Sequence, residues 1–374
     1  VNFAFTEDQG LIRDSARGWL GAYAGPAHAR TVMATAAGFD PALWAEAVAL
    51  GWTGLIVPEA QGGLGLGFVE LAILAEEMGR ALYPSPFEAT VILAANVLLA
   101  VGSERYLEDI ATGALTATLA AGNATGKVTA TPAGGGWRLD GALRHVPDGA
   151  RADLLLVAAE AGEGRIALFA VPGDEAGLTR SGLATMDQLR RPAALRFDGV
   201  TLGAGALVAA DAGRGLALAL DRAAAALSAW AVGAAERCLE MTVDYTKGRV
   251  QFGRPVAGFQ AVKHQCADMA LAVETARSAA YWAACIADET GHDGDGRALA
   301  LAASGAKSWC SRAYFDCAAT AIQLHGGVGF TWDYDVHLYF KNARAMEATL
   351  GDPAFHRERV AQLIGLDETA EALP

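Results

Sequence analysis

Positive charge is scarce in this sequence. Lys and Arg number 29 against 42 Asp and Glu, a net charge of −13, and no basic stripe stands out, which argues against a nucleic-acid phosphate backbone as partner. Charge of either sign is sparse too, at 19% of residues against 53% hydrophobic. Even so, no apolar run of about 18 residues passes without charge or glycine, so no membrane span is predicted. Cysteine is limited to Cys238, Cys266, Cys285, Cys310 and Cys317. None is in C-x-x-C spacing or beside a His pair, so the sequence predicts no metal site and buried thiols in a reducing compartment. The opening VNFAFTEDQ lacks a basic segment followed by an apolar one, so no signal peptide is expected and the cytoplasm is the expected location.

A chain of 374 residues exceeds one ordinary core and fits two or three domains. Thr6 with Gln9 forms a capping-box pattern for a helix through Trp19, and Asp40 with Pro41 opens a second that stops at Gly51. Helices follow over Phe68 to Leu82, Ser85 to Val101 and Ser103 to Thr112. From Leu115 the period shortens to alternating apolar runs broken by Gly, Pro, Asp and Asn, the pattern of an antiparallel barrel or sandwich. Glycine-bounded helices return over Gly215 to Thr246, Phe259 to Glu289, Gly294 to Ile322, Tyr334 to Ala348 and Pro353 to Ile364. The expected class is α+β, with an all-helical domain over 1–113, a β domain over 114–210 and a helical bundle over 211–374.

Two stretches carry more specific information. QLHGGVGF, Gln323 to Phe330, ends a helical run with adjacent glycines; alone, Gly326 reads as a helix cap. YTKGRVQFGRPVAGFQAVKHQCADMA, Tyr245 to Ala270, lies upstream. Together they resemble the acyl-CoA dehydrogenase family, in which an R-x-x-F-G run, the Gln of F-Q-A and a Q-x-x-G-G stretch hold the pyrophosphate and adenosine end of FAD for the neighbouring subunit. The resemblance implies that role for Arg249, Phe252, Gln260, Gln323, Gly326 and Gly327, an acyl-CoA thioester as substrate, and the family's α–β–α architecture. The residue types suit it: a guanidinium fork matches phosphate oxygens, and glycine lets backbone N–H groups come close. Pro58, Glu59 and the glycines around them also resemble the family's loop near the acyl pocket.

The catalytic half departs from the family. Its usual base lies in a Y-E-G triplet that corresponds here to Thr349, Leu350 and Gly351, and its other base position, a D-x-E-R run, corresponds to Asp221, Arg222, Ala223 and Ala224. Neither place offers the carboxylate that removes an α-proton. Asp221 and Asp352 are the nearest carboxylates; Asp352 before Pro353 also has the form of a helix N-cap, and Glu347 that of a solvated residue. The flavin-contacting T-E-P-x-x-G-S-D loop is missing around Asn123 and Ala124, and W-I-T is replaced by His145, Val146 and Pro147. What is lost belongs to one half of an active site and what is kept serves a neighbour's cofactor. This pattern resembles subunits of heteromeric, steroid-side-chain-type members that complete the FAD site of a catalytic partner. Two alternatives stand beside it: a self-sufficient homodimer or tetramer using Asp221 or Asp352 as base, and a CoA-ester-binding or structural protein. Trp230, Trp282, Trp309, Tyr314 and Phe315 exceed what one bundle core needs, so part of this apolar surface is expected to meet another subunit.

Overall fold

The computed structural model describes residues 5–122, 126–290 and 296–366. Asn123 and Ala124, around which the flavin-contacting loop is expected to be missing, and the expected helix start at Gly294 lie outside these. The chain divides into two compact units, one made of Val1–Thr31, Phe68–Tyr83 and Ala224–Pro374, the other of Val32–Gly67 and Pro84–Ala223.

The first unit is helical. Thr6 accepts from the Gln9 amide and the Gln9 side chain accepts from the Thr6 amide, and this capping box starts α1 (Glu7–Tyr23). The sequence pattern missed α2 (Pro26–Met33), which at eight residues is too short for its periodicity to stand out. The rest of the unit comprises α4 (Phe68–Ala81), the part of α7 (Gly213–Gly248) beyond Ala223, α8 (Gln260–Glu289), α9 (Arg297–His325), α10 (Val336–Ala348) and α11 (Pro353–Leu363). α7 is long and apolar enough to cross a membrane, but 72% of its most apolar window is buried inside the protein.

Two glycines set the crossing of α4 and α7. A Cβ at Gly233 would lie 1.8 Å from the carbonyl oxygen of Glu76, and one at Gly79 would lie 2.1 Å from that of Trp230, so the backbones touch where any side chain would separate them. Around this crossing runs an ionic network. Arg277 bonds Glu76 at 3.1 Å and Glu236 at 2.8 Å, and Tyr281 donates to Glu76 at 2.5 Å. Arg17 makes a two-pronged contact with Glu77 at 2.9 and 2.7 Å. Burial raises the Glu76 pKa, and Arg277 opposes that shift.

The second unit contains α3 (Pro41–Ala49), capped by Asp40 as its sequence predicts, and an eight-residue π-helical turn, Glu88–Ala95, that runs into α5 (Asn96–Ala100). The sequence pattern predicts one regular helix over Ser85 to Val101, and the structure differs from it here. The buried Asn96 amide donates to the carbonyls of Ile92 at 3.2 Å and Ala219 at 2.8 Å, a side-chain partner of the kind that accompanies irregular winding. After α6 (Leu107–Ala111) come β1 (Ala117–Ala120), β2 (Val128–Ala133), β3 (Gly136–Pro147), β4 (Leu154–Glu160), β5 (Ile166–Pro172), β6 (Leu178–Gly182), β7 (Pro192–Leu202) and β8 (Leu207–Ala209). Their order in the sheet is β6-β7-β3-β2-β4-β5-β8, with β1 on β4. Most neighbours are antiparallel, but β1 pairs with β4 in parallel and β2 meets β4 in parallel at Thr129 and Glu160. Leu143, Leu155, Phe169, Leu195 and Phe197 are among the side chains filling its core.

Candidate cofactor half-site and the altered base loop

α7 ends in Gly248, and the Arg249 amide still donates to the Tyr245 carbonyl at 2.8 Å. The next residues form a small hairpin, β9 (Val250–Gln251) with β10 (Arg254–Pro255). Phe252 and Gly253 make its turn at positive φ, 53° and 76°. A bulky residue at positive φ is strained and therefore worth a functional explanation. Phe252 is also 91% exposed. The Val256 amide closes the hairpin onto the Arg249 carbonyl at 2.8 Å, and Arg254 lies over Phe259 at 4.0 Å. Gln260 then opens α8, exposed, with its amide 3.5 Å from the His264 ring.

The second motif is the C-terminus of α9. Gly326, at φ +67°, caps the helix and starts a tight turn over Gly326–Phe330. Its capping role is therefore real, and it leaves the glycine available: Gln323, Gly326 and Gly327 are exposed, and a Cβ at either glycine would meet nothing within 4 Å. All six residues singled out by sequence lie in the first unit and face solvent. A ring contact joins their two motifs: Tyr245 and His325 stack with centroids 4.3 Å apart and planes at 18°. The sequence reading did not find this pair, although both residues lie inside the quoted motifs.

At the expected base position, Leu350 is at φ +59° and Gly351 at φ +106°. Lys307, fully buried, donates to Ser311 at 2.9 Å and to the carbonyls of Met346 at 3.1 Å, Glu347 at 3.4 Å and Gly351 at 3.3 Å. His356 lies 3.1 Å from the Leu350 carbonyl and is also buried. The loop is thus tied from behind by an ammonium and an imidazole. Asp352 caps α11 by accepting from the Phe355 amide at 2.8 Å, the structural role its sequence context describes. Asp221 is buried within α7, and Glu347 pairs with Arg344. Among the described residues no group of His, Cys, Asp and Glu is arranged to hold a metal ion.

Residues 6–114 match the model of the acyl-CoA dehydrogenase N-terminal domain, and residues 213–365 that of the C-terminal domain. The chain belongs to the acyl-CoA dehydrogenase family. Members of this family are FAD-dependent oxidoreductases. The acyl-CoA dehydrogenase IpdE2 of Mycobacterium tuberculosis is 35% identical over 93% of this chain and 94% of its own. Among solved structures, the ChsE4-ChsE5 complex of Mycobacterium tuberculosis superposes with a TM-score of 0.89 at 29% identity, covering all of both chains. A variant of the Tcur3481-Tcur3483 steroid ACAD superposes with a TM-score of 0.86 at 32% identity, over 97% of this chain and 99% of that one.

His145, Val146 and Pro147, where the resemblance leads one to expect flavin contacts, lie in the second unit. His145, at φ +62°, lies in an irregularity of the β3–β7 pairing between Leu143 and Val146. The Pro147 carbonyl accepts from the Thr118 hydroxyl at 2.6 Å. Beyond it Asp148 is buried, bonded to Arg151 at 2.6 Å, and Arg190 pairs with Glu88. Burial pushes the Asp148 carboxyl up to about 6, against the pull of Arg151. A proline without an N–H and a carbonyl already bonded offer little to a flavin ring. Of the aromatic residues expected to be shared between core and interface, Trp230 and Tyr314 are core residues, whereas Trp282 and Trp309 are exposed.

Proposed function

We propose that this chain is the subunit of a hetero-oligomeric acyl-CoA dehydrogenase that completes the FAD site of a catalytic partner. The observation that carries the reading is the asymmetry within the chain. Arg249, Phe252, Gln260, Gln323, Gly326 and Gly327 are exposed and open, while the base position holds Leu350 on a loop tied down by Lys307. The exposed residues fit the phosphate and adenosine end of the cofactor: one guanidinium, two amides, an aromatic ring and two glycines whose missing side chains leave room for an approaching ligand. When bound, FAD supplies the acceptor for the hydride leaving an acyl-CoA thioester. This chain would bind and orient that cofactor, and the partner would supply the carboxylate base.

The steroid acyl-CoA dehydrogenase and the two-component complex among its structural relatives favour a steroid-side-chain acyl thioester over a simple fatty acyl group. The same reading takes the chain as three domains, 1–113, 114–210 and 211–374, in a cytoplasmic oligomer that engages neither nucleic acid nor membrane. Purified alone, the chain should carry little flavin and turn over no acyl-CoA; purified with a Glu-bearing homologue, the complex should be yellow and active. Full flavin loading and turnover by the chain alone, abolished by Asp221→Asn, would overturn the proposal.

A further inference from the structure

None of the six exposed residues explains how a hairpin and a turn far apart in sequence hold a fixed spacing. The hairpin has two residues per strand, too few to be rigid alone, and the turn rests on the end of α9. Tyr245 and His325 are one step from each: the Tyr245 carbonyl receives the Arg249 amide at 2.8 Å, and His325 directly precedes Gly326.

The contact between them is fixed on both sides. Nδ1 of His325 lies 2.7 Å from the Ala321 carbonyl; since a carbonyl only accepts, Nδ1 carries the proton and the ring is held in one orientation. Tyr245 lies flat on that ring, and Tyr334 closes the group edge-on, its centroid 5.7 Å from Tyr245 and 6.0 Å from His325. Tyr334 is anchored in turn, because its carbonyl accepts from Arg30 at 2.7 Å while Arg30 also bonds Asp335 at 3.0 Å. The imidazole is buried, and burial lowers its pKa, so it acts as a flat neutral partner. Stacked and edge-on aromatic pairs have defined geometry as well as buried area.

We infer that the Tyr245–His325 stack, backed by Tyr334, is the positioning element that sets the Arg249 hairpin against the Gly326–Gly327 turn and so gives the half-site its spacing. The inference rests on the half-site reading above. Tyr245 and His325 touch no cofactor in this account; they act through Arg249 and the glycines.

The test compares Tyr245→Leu, Tyr245→Phe and Arg249→Ala in the complex with a Glu-bearing homologue, reading bound flavin per folded complex. Tyr245→Leu should lower retention of FAD roughly five- to tenfold, whereas Tyr245→Phe, which keeps the ring, should match the parent. In the chain alone, hydrogen exchange should quicken in Tyr245→Leu both at the Val256 amide, bonded to Arg249, and at the Thr331 amide, bonded to Val328, with α8 interior amides near Ala276 unchanged. If Tyr245→Leu fails to fold, His325→Leu breaks the same stack from the other side. Parent-like flavin retention in these variants, with loss in Arg249→Ala, would overturn the positioning role and leave the half-site standing. Parent-like retention in Arg249→Ala as well would overturn both.

Discussion

The ammonium of Lys307 lies 3.3 Å from the carbonyl oxygen of Gly351, directly behind the loop of Thr349, Leu350 and Gly351. The same group reaches the carbonyls of Met346 and Glu347 at the end of α10, so a buried cation neutralises a helix C-terminus and fixes the turn that follows. Lys307→Met keeps most of the volume and removes the donor. It should cost about 2 to 4 kcal/mol by removing this donor from the Glu347 and Gly351 carbonyls, while the Met346 carbonyl keeps the Thr349 amide, measured as a shift in urea unfolding. A change under about 0.5 kcal/mol would mean that the loop does not depend on the lysine.

Acid should weaken the first unit through His356. Its pKa is lowered to about 4, by burial first and then by the nearby Lys307. The unfolded chain therefore takes up a proton near 6.5 that the folded chain refuses, so stability is full above that pH and falls as pH drops towards 4. With a discount for partial solvent screening, the effect is about 2 kcal/mol. His356→Gln should flatten the slope of the unfolding midpoint between pH 6.5 and 4.

Asp148 acts with the opposite sign in the second unit. Its folded pKa, about 6, stands above the ordinary aspartate value of 3.8. The folded state holds the proton more tightly, so the associated stability is full below 3.8 and is lost as pH rises through 6, a change of about 3 kcal/mol. Asp148→Asn should remove this component, seen by following the second unit's unfolding from pH 4 to 7. An unchanged slope would show that Asp148 titrates normally.

Gly233→Ala places a methyl 1.8 Å from the Glu76 carbonyl oxygen. Because the obstacle is backbone, the helices themselves must separate, and the ionic network around Glu76 must shift with them. A loss of about 3 kcal/mol or more is expected, whereas the same change at Gly305, inside α9 where a Cβ meets nothing within 4 Å, should gain up to about 1 kcal/mol from the better helix propensity of alanine. Thermal unfolding of the two variants side by side makes the comparison.

Features set by neighbouring residues were legible before the structure. The Thr6–Gln9 capping box, Asp40 before Pro41 and Asp352 before Pro353 are local hydrogen-bonding patterns, and each stands as its sequence describes. Features set by distant contacts were not. Lys307 looks like any helix-surface lysine until the Met346 and Gly351 carbonyls converge on it. β1 pairs in parallel with β4, but a short apolar strand has the same pattern in either direction. The Tyr245–His325 contact brings together two motifs whose residues could be named but whose arrangement depends on how α7 and α9 pack.

Flavin absorbance per folded complex is the most direct measure of the central claim, taken on this chain purified with a Glu-bearing homologue, as parent, Arg249→Ala and Arg249→Lys. The account predicts that Arg249→Ala lowers FAD retention by roughly ten- to a hundredfold, the worth of a charge-assisted fork to pyrophosphate. Arg249→Lys should recover part of it, and the chain alone should keep its thermal stability in both variants, because Arg249 is exposed there. Unchanged flavin per folded complex, together with unfolding of the isolated Arg249→Ala chain, would make the arginine a structural cation at the end of α7 and contradict the account.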